Sequence, residues 1–328
     1  MKRDVVIIIA PQVDPHADAV VNELNEKKDV KVLRLDLETA YYDHDIIYLN
    51  SGGKFSWEII CRQTKRRVVS AELTSVWWRR THTLSPSLDN GLPTGEGIDR
   101  RECESNLRSI LASLPRKTFP LGHPIDLREG ENKIRQFSVA QQVGFVQPDT
   151  IFSNSRASLS SFAQKHMWIA AKSLNQSIAE VSGKEVSFAT RRHKGQALAH
   201  IINDAPQGAA VLQEALDRTR DLRVVCLPNS FFAVAIDLER LPPGEIDWRA
   251  YIRQCKHTSV KLSQAEINRC RLFLKKMNLT AGHFDFVVSH DGQLIFLECN
   301  PNGQWLWLEQ ATGEKIAKKI AAALIQTM

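Results

Sequence analysis

Two acidic residues and one amide residue near the end of the chain are spaced so that they could bind a divalent cation. Asp285 and Glu298 lie in two apolar runs that a short polar segment separates. The dipeptide Asp291-Gly292 in that segment predicts a β-hairpin, and a turn at the dipeptide places Asp285 opposite Glu298. Asn300 follows Glu298 by two residues, so both should lie on one face of the strand.

The same register assigns apolar side chains to the opposite face of the hairpin. These residues are Phe286, Val288, Ile295 and Leu297. Two carboxylates at cross-strand distance repel each other unless a proton or a cation lies between them. Hard oxygen ligands suit Mg²⁺, which usually also binds phosphate oxygens and water. A solvated surface hairpin would not need the run Asn300-Pro301-Asn302-Gly303 after its acids, so we favour a metal site.

The length and composition indicate a globular protein with more than one unit. A chain of 328 residues suggests two or three domains or subdomains, and its hydrophobic content of 43% is ordinary. No apolar run reaches the length of a membrane span, and the first residues lack the pattern of a signal peptide. The six cysteines form no CxxC pair, so we expect reduced thiols in a cytoplasmic protein rather than zinc ligands or disulfides.

The charge balance favours an acidic partner. The formal net charge is +6, and the isoelectric point is near 9.0. The basic residues form three local groups, each of which could equally be a solvated face: Arg62, Lys65, Arg66 and Arg67; Arg79 and Arg80; and Arg191, Arg192, His193 and Lys194. None of these groups is interleaved with aromatic residues in the manner of a nucleic-acid stacking surface, so neither nucleic acid nor membrane is the expected partner.

The hydrophobic pattern predicts a parallel α/β opening followed by α+β segments. A β-branched run from Val5 to Ile9, a helical pattern over residues 16–26 and a strand from Val30 to Leu35 form a β-α-β unit. Further strands are predicted at residues 46–49, 57–61, 75–78, 168–172 and 209–213 and within 222–236. Further helices are predicted at residues 101–113, 132–143, 156–165, 263–276 and 313–326. Residues 81–100 read as a loop.

The order of several charged residues along the chain matches a known pattern. Lys133 comes first, followed by Lys172 at the end of an apolar strand, Gln213-Glu214, and Asp221-Leu222-Arg223, all before the acidic hairpin. This order resembles the ATP-grasp superfamily, which has two lysines, a Gln-Glu hinge, an Asp-x-Arg strand, and then Asp and Glu-x-Asn. The Gln-Glu and Asp-x-Arg patterns are similar to the branch that contains the RimK-type glutamate ligases.

Three further motifs sharpen this resemblance. They are Asp14-Pro15-His16-Ala17-Asp18, Val76-Trp77-Trp78-Arg79-Arg80, and the run from Glu298 to Glu309 that contains Gln304-Trp305-Leu306-Trp307. Together they look like the microviridin-type (MvdC/MvdD-like) ligases, the graspetide synthetases, and the last motif is the most specific. The chain departs from that family at His283, where a small residue is expected, and at Cys299, which fills an aliphatic position.

The resemblance implies a fold and a domain division. A pre-ATP-grasp parallel α/β domain would span residues 1–118, and two ATP-grasp α+β subdomains would follow. The central subdomain would span residues 119–208, with a closing lid and a peptide-binding region. The C-terminal subdomain, residues 209–328, would carry the metal site. The polar stretch 173–208 is the candidate lid, and Gly183 and Gly195 are its candidate hinges.

The resemblance also implies the roles of individual residues. Arg223 and Lys172 would act on the transferred phosphoryl group. The backbone from Glu214 to Leu216 would contact adenine at the hinge. The residues that would bind ATP are Lys133, Lys172, Gln213, Glu214, Ala215, Leu216, Arg218 and Asp221. Mg²⁺ would be bound by Asp285, Glu298 and Asn300. The peptide substrate would be held by basic residues: Arg79, Arg80, Arg191 and Arg192. The segment from Arg191 to Lys194 nevertheless matches the family's leader-binding hairpin poorly.

The implied activity is ATP-dependent closure of side-chain rings in a ribosomal precursor peptide with a leader and an acidic core. A carboxylate does not condense with an alcohol or amine in water because hydroxide is a poor leaving group. Phosphorylation of an Asp or Glu side chain gives an acyl phosphate, which a Ser or Thr hydroxyl or a Lys amine attacks to form an ω-ester or ω-amide macrocycle. The cofactors would be ATP and Mg²⁺, and a lid would exclude water.

Two alternatives remain open at this point. A RimK-like ligase that adds amino acids to a peptide or protein would share the ATP site, and only the acceptor pocket would differ. A non-catalytic basic peptide-binding protein would keep the fold, but it should have lost a metal ligand or an ATP-site lysine, and neither is lost. The aromatic run at residues 305–307, which we expect to be exposed, and the family resemblance also suggest a homodimer.

Overall fold

A computed structural model describes residues 3–79, 88–89, 92–172, 178–181, 184–187, 190–204, 209–218, 220–241 and 246–325. The order of its elements confirms a mixed chain with one parallel sheet, followed by antiparallel sheets packed with helices. Within these residues, no helix is long and apolar enough to cross a membrane.

The N-terminal unit surrounds a three-stranded parallel sheet of order β2-β1-β6. Its elements in chain order are β1 (Asp4–Ile9), α1 (Pro15–Asn25), β2 (Val30–Leu35), α2 (Ala40–Asp43), β3 (His44–Ser51), β4 (Lys54–Cys61), β5 (Arg67–Val69), β6 (Leu73–Trp78), β7 (Leu88–Asp89), β8 (Leu92–Pro93) and α3 (Gly95–Ala112). Every residue of β1 from Val5 to Ile9 is buried, as the continuous apolar run predicts for a central parallel strand. Strands β3, β4 and β5 form a separate antiparallel sheet.

Helix α3 begins six residues earlier than the pattern predicts. Thr94 is its N-cap, and the Thr94 hydroxyl accepts a hydrogen bond from the N–H of Gly97 at 3.0 Å. Gly95 and Gly97 in the first turn disguise this start, because two glycines in a short stretch are typical of a loop. The predicted loop therefore ends before Gly95.

The central unit is an antiparallel sheet of order β13-β10-β14-β9 with two helices on one face. The elements of this part of the chain are α4 (Pro124–Gly130), α5 (Lys133–Gln142), β9 (Thr150–Ser153), α6 (Arg156–Lys165), β10 (Trp168–Lys172), β11 (Ile178–Val181), β12 (Lys184–Ser187), β13 (Arg191–Lys194), α7 (Gly195–Asp204) and β14 (Ala210–Glu214). Helices α6 and α7 bury Leu159, Leu198 and Leu212 between themselves and the sheet. Since β14 pairs with β9 and β10, this unit extends beyond the predicted boundary at residue 208.

The C-terminal unit is a five-stranded antiparallel sheet of order β17-β16-β15-β18-β19. Its elements are β15 (Arg220–Leu227), β16 (Ser230–Asp237), β17 (His257–Val260), α8 (Gln264–Lys276), β18 (Gly282–Val288), β19 (Leu294–Asn300), α9 (Leu306–Thr312) and α10 (Ile316–Ile325). Helices α5 and α8 cover one face, where a cluster of phenylalanines forms the core: Phe145, Phe273, Phe284, Phe286 and Phe296.

The chain ends in two helices rather than the single predicted helix from residue 313. Gly313 adopts a left-handed conformation with φ of 74° and ends α9, so α10 begins only at Ile316. Helix α10 packs against α1 and the N-terminal sheet, and the Ser75 hydroxyl donates to the Leu324 carbonyl oxygen at 2.5 Å. Trp305 is only 1% exposed, and Trp307 is half-buried against Trp248 and His257, so the aromatic run is not the exposed surface that the homodimer argument assumed.

Candidate active site

The acidic hairpin has the predicted register at its functional end and a different register near its turn. Asp285 is paired with Glu298, and His283 with Asn300. A β-bulge follows Asp285, so that Phe286 faces Phe296 and the connection spans residues 289–293 instead of a two-residue turn. The prediction that Ile295 and Leu297 share the apolar face with Phe286 is therefore wrong, because the extra residue moves Phe296 into the core.

The structure brings the three predicted metal ligands together. Asn300 Nδ2 donates to Glu298 Oε1 at 3.1 Å, and Lys133 Nζ donates to Glu298 Oε2 at 2.6 Å. Burial alone would raise the pKa of Glu298, but the Lys133 ammonium holds that pKa well below its usual range. Burial raises the pKa of Asp285, and the neighbouring Glu298 carboxyl adds to that rise while Arg223 and Arg249 oppose it.

Helix α5 positions the acidic strand through a residue that the sequence reading missed. Gln136 is fully buried, and its amide binds both backbone groups of Cys299, the residue between the two ligands of β19. Gln136 lies three residues after Lys133, so both side chains leave the same helix face. A polar residue in an otherwise amphipathic helix gives no signal of this contact without the tertiary structure.

Two guanidinium groups bind Asp285. Arg223 Nη1 lies 2.6 Å from Asp285 Oδ1, because β15 pairs with β18 and places the two residues directly opposite each other. Arg249 Nη2 lies 3.3 Å from Asp285 Oδ2. Arg249 belongs to a short 3₁₀ turn, Trp248–Tyr251, in a segment without a recognisable motif, and the sequence reading did not find it.

Lys172 ends β10, and its ammonium interacts electrostatically with the carboxylates of Glu298 and Asp285 on the C-terminal sheet. Its Nζ donates to Gln213 Oε1 at 2.6 Å, and Gln213 Nε2 in turn donates to Thr150 Oγ1 at 3.0 Å. Burial lowers the pKa of Lys172, and the Glu298 carboxylate opposes that shift. Gln213 therefore serves as a support for Lys172, and Thr150 is a further supporting residue that the sequence reading missed.

The remaining predicted nucleotide-binding residues follow β14 or lie on β15. The carboxyl of Asp221 on β15 pairs with Arg218 Nε at 2.6 Å, and burial raises the pKa of Asp221 to about 6 against the pull of that guanidinium. Ala215 follows β14, and its N–H donates to the Trp168 carbonyl oxygen at 2.9 Å. Leu216 is half-buried in the same short connection.

The Glu214 side chain lies apart from these cationic residues. Its carboxylate approaches Asp149 and His166, and ligand atoms of the three residues lie within 4.8 Å of one another. Successive side chains of a strand point to opposite faces, so Glu214 and Gln213 diverge. Only the backbone of Glu214 remains to serve the predicted contact with adenine.

The predicted substrate arginines are placed differently from the expectation. Arg79 is 2% exposed, its Nε lies 3.2 Å from Asp14 Oδ2, and its Nη1 donates to the carbonyl oxygens of Asn302 and Gly303 at 3.0 Å each. This guanidinium joins the N-terminal unit to the turn after β19, so it is not available to a substrate carboxylate. Arg80 lies outside the described residues.

The basic strand β13 forms the edge of the central sheet. Arg191 is exposed, whereas the guanidinium of Arg192 stacks over the Trp168 ring at 4.2 Å. These residues do not contact the acidic hairpin in the described structure. Gly195 directly follows β13, and a β-carbon added there would lie 2.0 Å from the His166 carbonyl oxygen. This close approach of α6 and α7 explains the glycine, which we had expected to act as a lid hinge; Gly183 lies outside the described residues.

His283 supports the turn that follows the metal strand. Its Nδ1 lies 3.1 Å from the Asn300 carbonyl oxygen and 3.2 Å from the Gly303 nitrogen. Burial lowers the pKa of His283 to about 3, and the nearby Arg223 and Arg79 charges add to that shift, so the imidazole is neutral at physiological pH. The small residue expected at this position would leave Gly303 without this contact.

The arrangement fits a divalent cation with an anionic ligand. Asp285, Glu298 and Asn300 offer the hard oxygen atoms that Mg²⁺ prefers. The positive residues around them outnumber the carboxylates: Lys133, Lys172, Arg218, Arg223 and Arg249 surround Asp221, Asp285 and Glu298. Within the described residues, the buried Nε of Arg223 has no hydrogen-bond partner. A buried donor of this kind is expected in a site that binds an anion.

Solved structures share this architecture. A RiPP-associated ATP-grasp ligase from Chryseobacterium gregarium, in complex with ADP and a leader and core peptide, matches with a TM-score of 0.84 and 19% identity over 98% of this chain and 95% of that chain. The macrocyclase MdnC from Microcystis aeruginosa MRC, bound with precursor peptide MdnA, matches with a TM-score of 0.78 and 23% identity over 98% and 99% of the two chains. The macrocyclase MdnB from the same organism matches with a TM-score of 0.75 and 21% identity over the same shares.

These matches establish the fold of the chain. It is the ATP-grasp fold, with the N-terminal unit preceding two antiparallel units, as the motifs predict. No family model and no curated protein matches the sequence.

Proposed function

We propose that the protein is an ATP- and Mg²⁺-dependent ligase that closes side-chain rings in a ribosomal precursor peptide. The observation that carries this proposal is the pairing of Asp285 with Glu298 beside Lys133, Lys172 and Arg223 within an ATP-grasp fold. Each of these residues comes from a different element, and all converge on one cleft. Such a combination of oxygen ligands and cations is suited to phosphoryl transfer, where positioning and charge neutralisation supply most of the catalysis.

Different residues would bind different parts of the nucleotide. Lys133 and Lys172 bind the α- and β-phosphates, and the backbone from Glu214 to Leu216 receives adenine at the hinge. Asp285, Glu298 and Asn300 would hold Mg²⁺, which would neutralise part of the negative charge of the phosphates. Lys133 Nζ binds Glu298 Oε2 at 2.6 Å, so this contact must break before that oxygen can bind Mg²⁺.

The reaction would proceed in two displacements. A carboxylate oxygen of a peptide Asp or Glu attacks the γ-phosphorus, ADP leaves, and an acyl phosphate forms. Arg223 stabilises the transferred phosphoryl group through its free Nε. A hydroxyl or amine of the same peptide then attacks the acyl carbon, loses its proton and expels phosphate, which leaves an ω-ester or ω-amide ring.

The peptide substrate is the part of the proposal that rests on the resemblance and on charge. Two of the named neighbours, the Chryseobacterium gregarium ligase and MdnC, are bound to leader, core or precursor peptides, and the net charge of +6 suits an acidic core. Arg191 on β13 offers an exposed cation for such a peptide. All six cysteines are free thiols, which supports the proposal that the protein works in the reducing cytoplasm.

Mass spectrometry tests the function directly. Candidate precursor peptides are incubated with the protein, ATP and Mg²⁺, and each ring closure should lower the peptide mass by about 18 Da, the mass of one water, with one ADP formed. Glu298→Gln should abolish the product, whereas Glu239→Gln, which changes an exposed glutamate, should not. Mild base then distinguishes an ester from an amide.

Other outcomes would redirect the assignment. A mass gain that equals an amino acid would favour a RimK-like ligase. Full product formation by Glu298→Gln would contradict the metal site. Absence of ADP formation and of nucleotide binding with every peptide would favour the non-catalytic binding protein.

A further inference from the structure

The carboxylate of Asp285 has two guanidinium partners of unequal strength. Arg223 lies 2.6 Å from Oδ1, is 7% exposed and is held on the central strand β15. Arg249 lies 3.3 Å from Oδ2, is 51% exposed and is carried by a single 3₁₀ turn. A dication bound by Asp285 would repel both guanidiniums at short range. The weaker and more exposed contact, that of Arg249, should break first.

Arg249 has a second contact that would keep it in place after this release. Its Nη1 lies 3.2 Å from Asp247 Oδ1, and the same carboxylate oxygen accepts the Arg249 backbone N–H at 3.1 Å. Loss of Asp285 would therefore free the Nη2 edge of the guanidinium and leave the Nη1 edge bound to Asp247. A guanidinium held at one edge is well arranged to receive another carboxylate at the other.

The position of Arg249 places that free edge beside the reacting groups. Its charge adds to the effect of burial in lowering the pKa of Lys172, and it also acts on the carboxyls of Asp221 and Glu298. Half of the side chain remains open to solvent, unlike Arg79, which is buried in its pair with Asp14. Arg249 is thus a cation that a peptide can reach at the edge of the metal site.

We propose that Arg249 exchanges one carboxylate for another, holding Asp285 in the nucleotide-free protein and the Asp or Glu side chain of the substrate once the metal has taken Asp285. In the nucleotide-free protein, Asp285 therefore occupies the edge of Arg249 that would bind the substrate carboxylate after the metal and nucleotide have bound. This inference rests on the proposed function. It assigns substrate recognition to Arg249, on a turn that lies outside every motif of the sequence.

The first test measures metal binding and requires no peptide. Mn²⁺ is titrated into the full-length protein with excess ADP, and bound Mn²⁺ is followed by electron paramagnetic resonance. Arg249→Gln should bind Mn²⁺ about two- to fivefold more tightly, because a half-exposed ion pair no longer competes for Asp285. Arg253→Gln is the matched control, since Arg253 is an exposed arginine four residues further along, and it should equal the wild type. Equal affinity of Arg249→Gln and wild type would overturn the exchange.

The second test separates substrate binding from nucleotide binding. With the peptide that the mass-spectrometric assay converts, Arg249→Gln should raise KM for the peptide about tenfold or more and leave KM for ATP within about twofold. Arg249→Lys should recover part of the loss because it restores the charge without the fork. An unchanged peptide KM in Arg249→Gln would overturn the recognition role. If the wild type binds Mn²⁺ and ADP but converts no peptide, the proposed function fails, and the Mn²⁺ comparison still decides whether Arg249 competes for Asp285.

Discussion

The buried side chain of Gln136 forms two hydrogen bonds with the backbone of Cys299. Nε2 donates to the Cys299 carbonyl oxygen at 2.7 Å, and Oε1 accepts from its N–H at 3.0 Å. Cys299 lies between Glu298 and Asn300, so one amide on α5 fixes the backbone that aims both ligands. Nε2 also donates to the Gly130 carbonyl oxygen at 2.7 Å, which joins the end of α4 to the same point.

Loss of the Gln136 amide should weaken metal binding as well as folding. Gln136→Leu leaves three buried backbone groups without a partner, and we expect the free energy of unfolding to fall by about 3 kcal/mol. The affinity for Mn²⁺ with ADP should fall about tenfold, as for other residues that orient metal ligands. Gln141→Leu, at an exposed position of the same helix, is the control. Unchanged Mn²⁺ affinity in a folded Gln136→Leu protein would contradict the positioning role.

The hydrogen-bonded chain Thr150, Gln213 and Lys172 predicts an effect on nucleotide affinity. Thr150→Val removes the acceptor for Gln213 Nε2 and frees the Gln213 side chain, so Lys172 should lose its fixed position. We expect the Kd for ADP, measured by calorimetry, to rise about fivefold, which corresponds to one hydrogen bond of about 1 kcal/mol. Thr258→Val, on the exposed side of β17, should leave the Kd unchanged. A Thr150→Val protein that binds ADP like the wild type would show that Gln213 needs no support.

The buried neutral imidazole of His283 predicts a loss of stability in acid. Its folded pKa is about 3, whereas an unfolded histidine titrates near 6.5, so below about pH 6.5 protons bind the unfolded chain first. This contribution to stability is complete above about pH 6.5 and falls as pH decreases towards 3, by about 1.4 kcal/mol per unit. His283→Asn should lose less stability than the wild type between about pH 6 and pH 4.

Thermal unfolding of the metal-free protein at several pH values measures this difference. The control is His290→Asn, because His290 is an exposed histidine on the hairpin connection and should keep the pH dependence of the wild type. If the stability of His283→Asn and of the wild type fell equally as pH decreases, His283 would not be held neutral in the folded protein.

Two glycines at the first position of a helix should respond in opposite ways to alanine. In Gly195→Ala the new methyl group would meet the carbonyl oxygens of His166 and Ala163 at 2.0 and 2.2 Å, and α7 would have to move. We expect a loss of about 1–3 kcal/mol in the free energy of unfolding. Gly95 has no atom within 4 Å of an added β-carbon, so Gly95→Ala should be neutral or stabilising by up to about 1 kcal/mol. Denaturant unfolding compares them, and equal stability of Gly195→Ala and the wild type would contradict the close packing of α6 on α7.

The sequence by itself determined the local elements and the acidic pair. Asp285 faces Glu298 as predicted, because both strands of the hairpin lie in one short stretch, but the pairing comes from a five-residue connection and a bulge after Asp285 instead of the predicted two-residue turn. The buried strand β1 and the strand Trp168–Lys172 also follow from their apolar runs. The order of lysines, hinge, Asp-x-Arg strand and hairpin predicted the ATP-grasp fold that the solved structures match.

Only the tertiary structure decided which distant side chains meet at that hairpin. Gln136 lies 163 residues from Cys299, and Arg79 lies more than 220 residues from Gly303, so no spacing along the chain relates them. The bulge after Asp285 likewise depends on packing, because Phe296 reaches the core only when β19 gains one residue there. Arg249 entered the site for the same reason: a turn without a motif acquires its role from the carboxylates that the fold brings to it.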